Sequence, residues 1–439
     1  MDKKKQKRLE LLREFLTVAH QKLGLEFGIE LWDGVRIPQD YPADGLAVAI
    51  ADEGAVAALL RKPKPETMAN LWAAARVDIR NGTIFDLVAK RPKVRTKHFI
   101  KSLDKMHIAK LATKFLFVPR GGPWPLETVG SDKQSDGSAK ENKKNISYHY
   151  DVSNAFYELW LDKEMVYTCS YFTDWNNSID QSQFDKLDMV CKKLRLKPGE
   201  TLLDMGCGWG ALSIHAAKYY GVKAYGVTLS EQQVAYANEK IKRLGLQDQV
   251  RIECKDYAHA EGVYDKVAAI GMLEHVGIDN FPIYYQTAAR SLRPGGLFLH
   301  HAITRPGKSE AARTKKRRPE FAALTRYIFP GGELDYIGRT VTNLELNGFE
   351  VRDVECWREH YMLTCRHWHD RLVANWDAAV KEVGEATART WLVYLAACSI
   401  TFERNNCGLY QTLSVKRLKS PTDIPPTRTY MYAPGPTPK

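Results

Sequence analysis

The chain of 439 residues carries a formal charge of +12, is 44% hydrophobic and contains eight cysteines. It is long enough to bury two cores, and it has no apolar run that would span a bilayer. That excludes a helical integral membrane protein, a disordered chain and a small disulfide scaffold, and scattered thiols with no CxxC pair point to a reducing, cytoplasmic setting.

The start, Met1-Asp2-Lys3-Lys4-Lys5, lacks the apolar stretch of a signal peptide and continues into an amphipathic helix. Leu46-Ala47-Val48-Ala49-Ile50 reads as a strand, and a helix is expected from Thr67 to Asn81. Basic residues then recur from Lys90 to Lys114. Among them Leu103, Met106 and Lys110, at helical spacing, set an apolar side against a cationic one, which suits an anionic lipid leaflet. Gly121-Gly122-Pro123-Trp124-Pro125 opens a segment rich in Gly, Pro, Ser and charge. The expected division is an N-terminal α+β domain associated with lipid or membrane (1–120), a flexible linker (121–145), a catalytic domain (146–419) and a loose, Pro- and Thr-rich tail (420–439).

The second domain holds the most informative stretch, Leu202-Leu203-Asp204-Met205-Gly206-Cys207-Gly208-Trp209-Gly210, a strand running into a glycine loop that opens a helix. Such a loop brings backbone amides and a helix N-terminus close to a ligand. The spacing is D-x-G-x-G-x-G. It is neither the dinucleotide G-x-G-x-x-G nor the G-x-x-x-x-G-K-[ST] that cradles a triphosphate, and Asp204 suits a ligand with an ammonium group. Helix Ala211–Tyr220, strand Val222–Val227 and helix Glu231–Leu244 follow, the last with Ser230 and Gln233 as a capping box. Val250–Cys254, Lys266–Gly271 and Leu297–Ile303 complete five strands of an α/β, Rossmann-like core. Ligands of such sheets sit beyond the carboxyl strand ends, so Asp204, Thr228, Asp256 and Gly271–Glu274 should face one crevice.

The glycine loop resembles the first motif of class I S-adenosylmethionine-dependent methyltransferases. Where many of these carry an acid for the ribose, this chain has Val227-Thr228-Leu229-Ser230 followed by Gln233, and this pattern after GCGWG looks like the cyclopropane-fatty-acid synthase family, which includes the mycolic acid cyclopropane synthases. His149-Tyr150-Asp151, Phe156-Tyr157, Tyr167-Thr168-Cys169-Ser170-Tyr171-Phe172, Leu273-Glu274-His275-Val276-Gly277, His301-Ala302-Ile303 and Ile328-Phe329-Pro330-Gly331-Gly332 fit in the expected order.

The resemblance implies addition of a methylene from S-adenosylmethionine across a cis double bond of a phospholipid acyl chain. A carbocation formed by methyl transfer then loses a proton to a bound bicarbonate. It further implies that Cys169, Glu274, His301, the Ile303 backbone and Tyr361 hold the bicarbonate, with His300 the competing register on the opposite strand face. For the cofactor it implies Tyr167, Thr168, Asp204, Gly206, Gly208, Gly210, Thr228, Leu229, Gln233, Asp256 and Tyr257. Cys398 matches a cysteine once regarded as the family's nucleophile, although the chemistry needs no thiolate there. Rings at Tyr148, Tyr150, Phe156, Tyr157, Tyr171 and Phe172 could face a cation or form ordinary core. The i, i+2, i+4 spacing in Cys365-Arg366-His367-Trp368-His369 spreads those side chains over several helix faces, so no metal is expected.

The expected partner is unsaturated phospholipid at the inner, anionic membrane face, met peripherally, with no nucleic acid. A second basic run, Lys315–Arg318, is expected near the acyl entrance. Homodimerisation stays open. So do three rival readings: a relative giving a methyl-branched or methylene product, a nucleic-acid methyltransferase using the basic runs for phosphate, and a membrane-binding protein with a vestigial fold.

Overall fold

The computed structural model describes residues 3–91, 105–126, 152–307 and 333–437. The expected Leu103, the Lys315–Arg318 run, Tyr148, His149-Tyr150-Asp151 and Ile328–Gly332 lie outside these residues. The chain forms two compact units.

The first unit lies within Met1–Ser131 and also takes in Gly384–Ala396. Its elements are α1 (Lys3–Leu23), β1 (Gly28–Glu30), β2 (Arg36–Ile37), β3 (Ala47–Ile50), α2 (Glu53–Arg61), α3 (Pro65–Ala73), β4 (Val77–Arg80), α4 (Ile84–Ala89) and α5 (Lys105–Phe115). The strands form one sheet in the order β2-β1-β3-β4. Leu9 and Leu12 of α1, Val56 and Ala57 of α2, and Leu111 and Phe115 of α5 share one core. Arg389 joins the unit by donating to the Trp72 carbonyl at 2.7 Å and to Asp78 at 2.8 Å, and it also lies over the Trp72 ring.

One expectation for this unit needs correction. The helix expected from Thr67 to Asn81 ends at Ala73; Ala75 takes a positive φ of 53°, and Val77–Arg80 returns as a strand antiparallel to β3. Pairing with β3 buries Val77, so the sheet outweighs local helix propensity. In α5 the apolar side is used internally, since Leu111 and Phe115 pack into the core. Met106 and Phe117 stay exposed, at 79% and 90%.

The second unit contains α6 (Asn154–Glu158), α7 (Ile179–Lys193), β5 (Thr201–Met205), α8 (Ala211–Tyr220), β6 (Lys223–Thr228), α9 (Glu231–Arg243), β7 (Val250–Cys254), β8 (Tyr264–Ile270), α10 (Leu273–Val276), α11 (Phe281–Arg290), β9 (Leu292–Thr304), α12 (Ile337–Leu346), β10 (Phe349–Cys356), α13 (Arg358–Ala374), α14 (Trp376–Val383) and β11 (Gly408–Lys416). A further helix, α15 (Glu385–Glu403), precedes β11 in the chain. The sheet has seven strands in the order β10-β11-β9-β8-β5-β6-β7. The expected five pair in parallel; β11 pairs antiparallel with both β9 and β10. Chain order reverses between β5 and β8, which opens a crevice at their carboxyl ends.

The capping box at α9 is half formed. The Ser230 hydroxyl accepts the Gln233 amide, while the Gln233 side chain turns to Thr228. The C-terminal segment expected to be loose is also packed: Met431 is buried, Arg428 pairs with Asp353, and Arg195 pairs with Asp423. Its apolar side chains Tyr430 and Met431 find a place against the main core, and that burial offsets the ordering cost.

Candidate active site

Strand β5 delivers Asp204 and then the loop. Gly206, Gly208 and Gly210 all have positive φ, of 79°, 55° and 82°. A Cβ on Gly206 would meet the Met272 side chain at 2.8 Å, whereas nothing lies within 4 Å of one on Gly208. The loop is therefore closed on one side and open on the other, and its open backbone faces two adjoining cavities.

Tyr167, Thr168, Lys186, Asp204, Gly206, Gly208 and Trp209 line the first cavity. Asp204 is buried and accepts the Ser213 hydroxyl at 3.0 Å. Burial pushes its carboxyl up to about 6, opposed by Ser213 and Lys186. Lys186, which sequence reasoning missed, is 2% exposed and donates to the Thr168 hydroxyl at 2.9 Å. Burial draws its amine down to about 8, opposed by Asp162, Cys169 and Asp204. The available signal was Gln183, Lys186, Val190 and Lys193 repeating at i, i+3, i+7 and i+10 along one face of α7, but a lysine at such a place usually reads as solvated.

The second cavity is lined by Gly206, Gly208, Thr228, Leu229, Gln233, Asp256, Tyr257, Met272 and His275. Thr228 and Gln233 are buried and hydrogen-bonded to each other at 2.7 Å. Asp256 accepts the Ala258 amide at 2.8 Å and so fixes the turn that carries Tyr257. Ten of the eleven residues expected at the cofactor line the two cavities. Gly210 does not. It caps α8, where a Cβ would strike Ile252 at 2.5 Å.

The residues expected to bind an anion converge from four segments. Glu274, in α10 just beyond β8, accepts the Ile303 amide of β9 at 2.6 Å. The Ile303 amide thus has a carboxylate acceptor inside the protein. Glu274 is 3% exposed, and its second oxygen, Oε2, has no hydrogen-bond partner among the described residues. Burial pushes its carboxyl up to about 7, against the Ile303 hydrogen bond. His301 is buried with Nδ1 3.1 Å from the Gln411 side-chain amide, and its Nε2 likewise has no partner among the described residues. Burial, then the Lys186 charge, holds His301 well below its ordinary pKa, so the ring is neutral.

The His301 ring lies edge-on to Trp357 at 5.5 Å, and the Cys169 thiol approaches the Trp357 carbonyl at 3.8 Å. Burial raises the Cys169 thiol far above its ordinary range. Tyr361, one helical turn beyond Trp357, lies close to Cys169 and Glu274. His300 points the other way, to the Tyr284 hydroxyl at 2.7 Å. Cys398 lies partly buried on α15, near Cys365, and no disulfide joins any of the eight cysteines.

Aromatic rings wall this region. Tyr167 packs against Tyr157, Trp160 and Trp368, and Tyr157 against Trp209. Tyr361 stacks on Phe402 at 4.6 Å. Phe156 and Tyr157 are fully buried, while Tyr171 stacks on His360.

The mycolic acid cyclopropane synthetase family matches residues 137–412. The chain is 37% identical to a probable fatty acid methyltransferase of Pseudomonas putida, over 95% of this chain and 99% of that one. It is 33% identical to the cyclopropane-fatty-acyl-phospholipid synthase of Escherichia coli K12, over 60% of this chain and 66% of that one. The crystal structure of mycolic acid cyclopropane synthase CmaA1 complexed with SAH and CTAB superposes with a TM-score of 0.59 at 29% identity, covering 65% of this chain and all of that one. The chain belongs to the mycolic acid cyclopropane synthetase family, S-adenosylmethionine-dependent methyltransferases that modify lipid acyl chains.

Proposed function

We propose that the enzyme adds a methylene group to the cis double bond of unsaturated phospholipid acyl chains and closes a cyclopropane ring. The observation that carries this reading is the pair of buried polar atoms, Glu274 Oε2 and His301 Nε2, without partners among the described residues. Other buried polar atoms among the described residues also lack partners; these two are set apart because they belong to residues that gather with Cys169 and Tyr361, which supports a small polar species held there.

S-adenosylmethionine supplies the one-carbon unit when bound. Asp204, Thr168, Tyr167 and the open Gly206–Gly208 backbone would hold its amino-acid end, and Thr228, Leu229, Gln233, Asp256 and Tyr257 its nucleoside. Bicarbonate would be held by His301, Glu274, Tyr361 and Cys169, with Ile303 acting through its hydrogen bond to Glu274, and it supplies a base. The protein's own contribution is position and dryness: the aromatic walls exclude water from a cationic centre and present ring faces to it. Cys398 has no role in this chemistry.

The lipid reaches the enzyme from an anionic leaflet met peripherally, at the inner membrane face. Supporting this, Met106, Lys110, Lys114 and Phe117 lie on the exposed side of α5 and its following turn. No helix among the described residues is long and apolar enough to cross a membrane.

A second reading is favoured by the Pseudomonas putida relative, which matches nearly end to end and is named a fatty acid methyltransferase. In that case the same cation loses its proton without closing a ring and gives a methylene chain, or takes a hydride from an added reductant and gives a methyl-branched one. Incubation with defined unsaturated phospholipid and S-adenosylmethionine, followed by mass spectrometry and proton NMR of the released fatty acids, separates the two. Ring protons without added reductant establish the first reading; branched product without a ring removes it.

A further inference from the structure

We infer that Lys193 and Gln411 are positioning residues that lock His301 as a hydrogen-bond donor through Nε2. The inference rests on the reading of His301 as part of an anion-holding site, and deepens it.

The argument follows from which groups can donate. Lys193, on α7, is 0% exposed; its amine reaches the Glu355 carboxylate, lies 5.1 Å from the centre of the Trp357 ring, and sits 2.8 Å from Gln411 Oε1. An ammonium has three donors and no acceptor, so the Gln411 atom facing it must be the amide oxygen. The amide nitrogen is thereby turned to the other side, where it lies 3.1 Å from His301 Nδ1. That nitrogen can only donate, so Nδ1 must accept with its lone pair. A neutral ring with Nδ1 unprotonated carries its proton on Nε2, the nitrogen without a partner among the described residues.

Register makes the arrangement rigid. His301 of β9 and Gln411 of β11 are directly paired across an antiparallel ladder, so their side chains share one face of the sheet. Both are buried, and both ends of the chain of hydrogen bonds are anchored. For His301 to take up a proton, Nδ1–H would have to face the Gln411 amide hydrogens, which is repulsive. His301 is therefore a fixed donor to an oxygen at the site and not the base. That leaves proton acceptance to another group and orients whatever oxygen His301 holds.

The test is long-range proton–nitrogen NMR on the full-length protein with isotope-labelled histidine, the His301 signals being assigned by their loss in His301→Asn. The expected wild-type result is a protonated-type shift at Nε2 and an unprotonated-type shift at Nδ1. Gln411→Glu places a carboxylate against Nδ1 and should reverse the tautomer, lowering kcat at least tenfold while KM for the phospholipid changes little. Lys193→Arg, which retains the donor, should keep the wild-type tautomer. An Nδ1–H ring in the wild type overturns the inference even if neither variant folds. So does an unchanged tautomer in Gln411→Glu, or a reversed tautomer with undiminished turnover. Failure of the wild type to form a cyclopropane or branched product would instead count against the functional reading.

Discussion

The Glu274 carboxylate accepts the Ile303 amide at 2.6 Å, tying the turn after β8 to the end of β9 and leaving only Oε2 for chemistry. Glu274→Gln can keep the bond to Ile303 through its amide oxygen but cannot carry a charge. Turnover should fall by roughly 100-fold or more, the scale of a lost acid–base or anion-positioning group. Binding of S-adenosylhomocysteine, measured by calorimetry, should persist within about threefold of wild type. Full turnover in this variant would exclude Glu274 from the proposed site.

The same carboxyl predicts a pH effect on stability. Burial raises it to about 7 from 4.5, so between those values the folded state binds more protons than the unfolded chain, and stability falls as pH rises through that window. The full penalty, about 3 kcal/mol at most, is in place above pH 7. Glu274→Gln removes it. The Tm difference, variant minus wild type, should therefore grow from pH 5 to pH 8, as read by thermal denaturation at both. A difference that stays flat would contradict the raised carboxyl.

Lys186 lines the cavity beside Asp204 and the glycine loop, and its bond to Thr168 places a cation where the amino-acid end of the cofactor is proposed to sit. A lost charged hydrogen bond typically amounts to about 1.5–3 kcal/mol, so Lys186→Met should weaken S-adenosylhomocysteine binding by about 10- to 150-fold. Methylthioadenosine, which lacks the amino-acid group, should bind both proteins alike. Equal loss for both ligands would assign Lys186 a purely structural role.

The exposed face of α5 predicts how the enzyme meets lipid. Each cation near an anionic surface contributes about 1 kcal/mol. Lys110→Glu with Lys114→Glu should therefore weaken sedimentation with phosphatidylglycerol vesicles by at least about 30-fold at low salt, and Phe117→Ser should weaken it at any salt. Turnover of a detergent-dispersed short-chain phospholipid should stay unchanged. Parallel loss on vesicles and dispersed substrate would remove this face from membrane docking.

Much of the catalytic unit was legible from local pattern. Alternation of buried strands with helices, and three glycines after Asp204, are short-range signals, because a backbone with positive φ or a helix entry constrains its own few residues. The first unit was less legible. Val77–Arg80 is a strand only because β3 lies beside it, and the apolar side of α5 faces inward only because α1 and α2 are there to cover it. The packed C-terminal segment similarly depends on groups distant in the chain: Arg195, which pairs with Asp423, and core residues from Val166 onward that receive Met431.

By itself the sequence determined strands β5 to β9 of the second unit, the glycine loop and, through motif order, the family. What it could not determine was the company each buried polar atom keeps. Lys186 reads as a surface residue until α7 is laid against α8 and brings it to the cavity beside Asp204. His301 can donate or accept until β11 inserts beside β9 and brings Gln411, with Lys193 behind it, to one ring nitrogen. Hydrophobic period and turn chemistry act within a few residues, whereas protonation state and hydrogen-bond direction depend on groups that only strand order and register bring within 3 Å or so of each other.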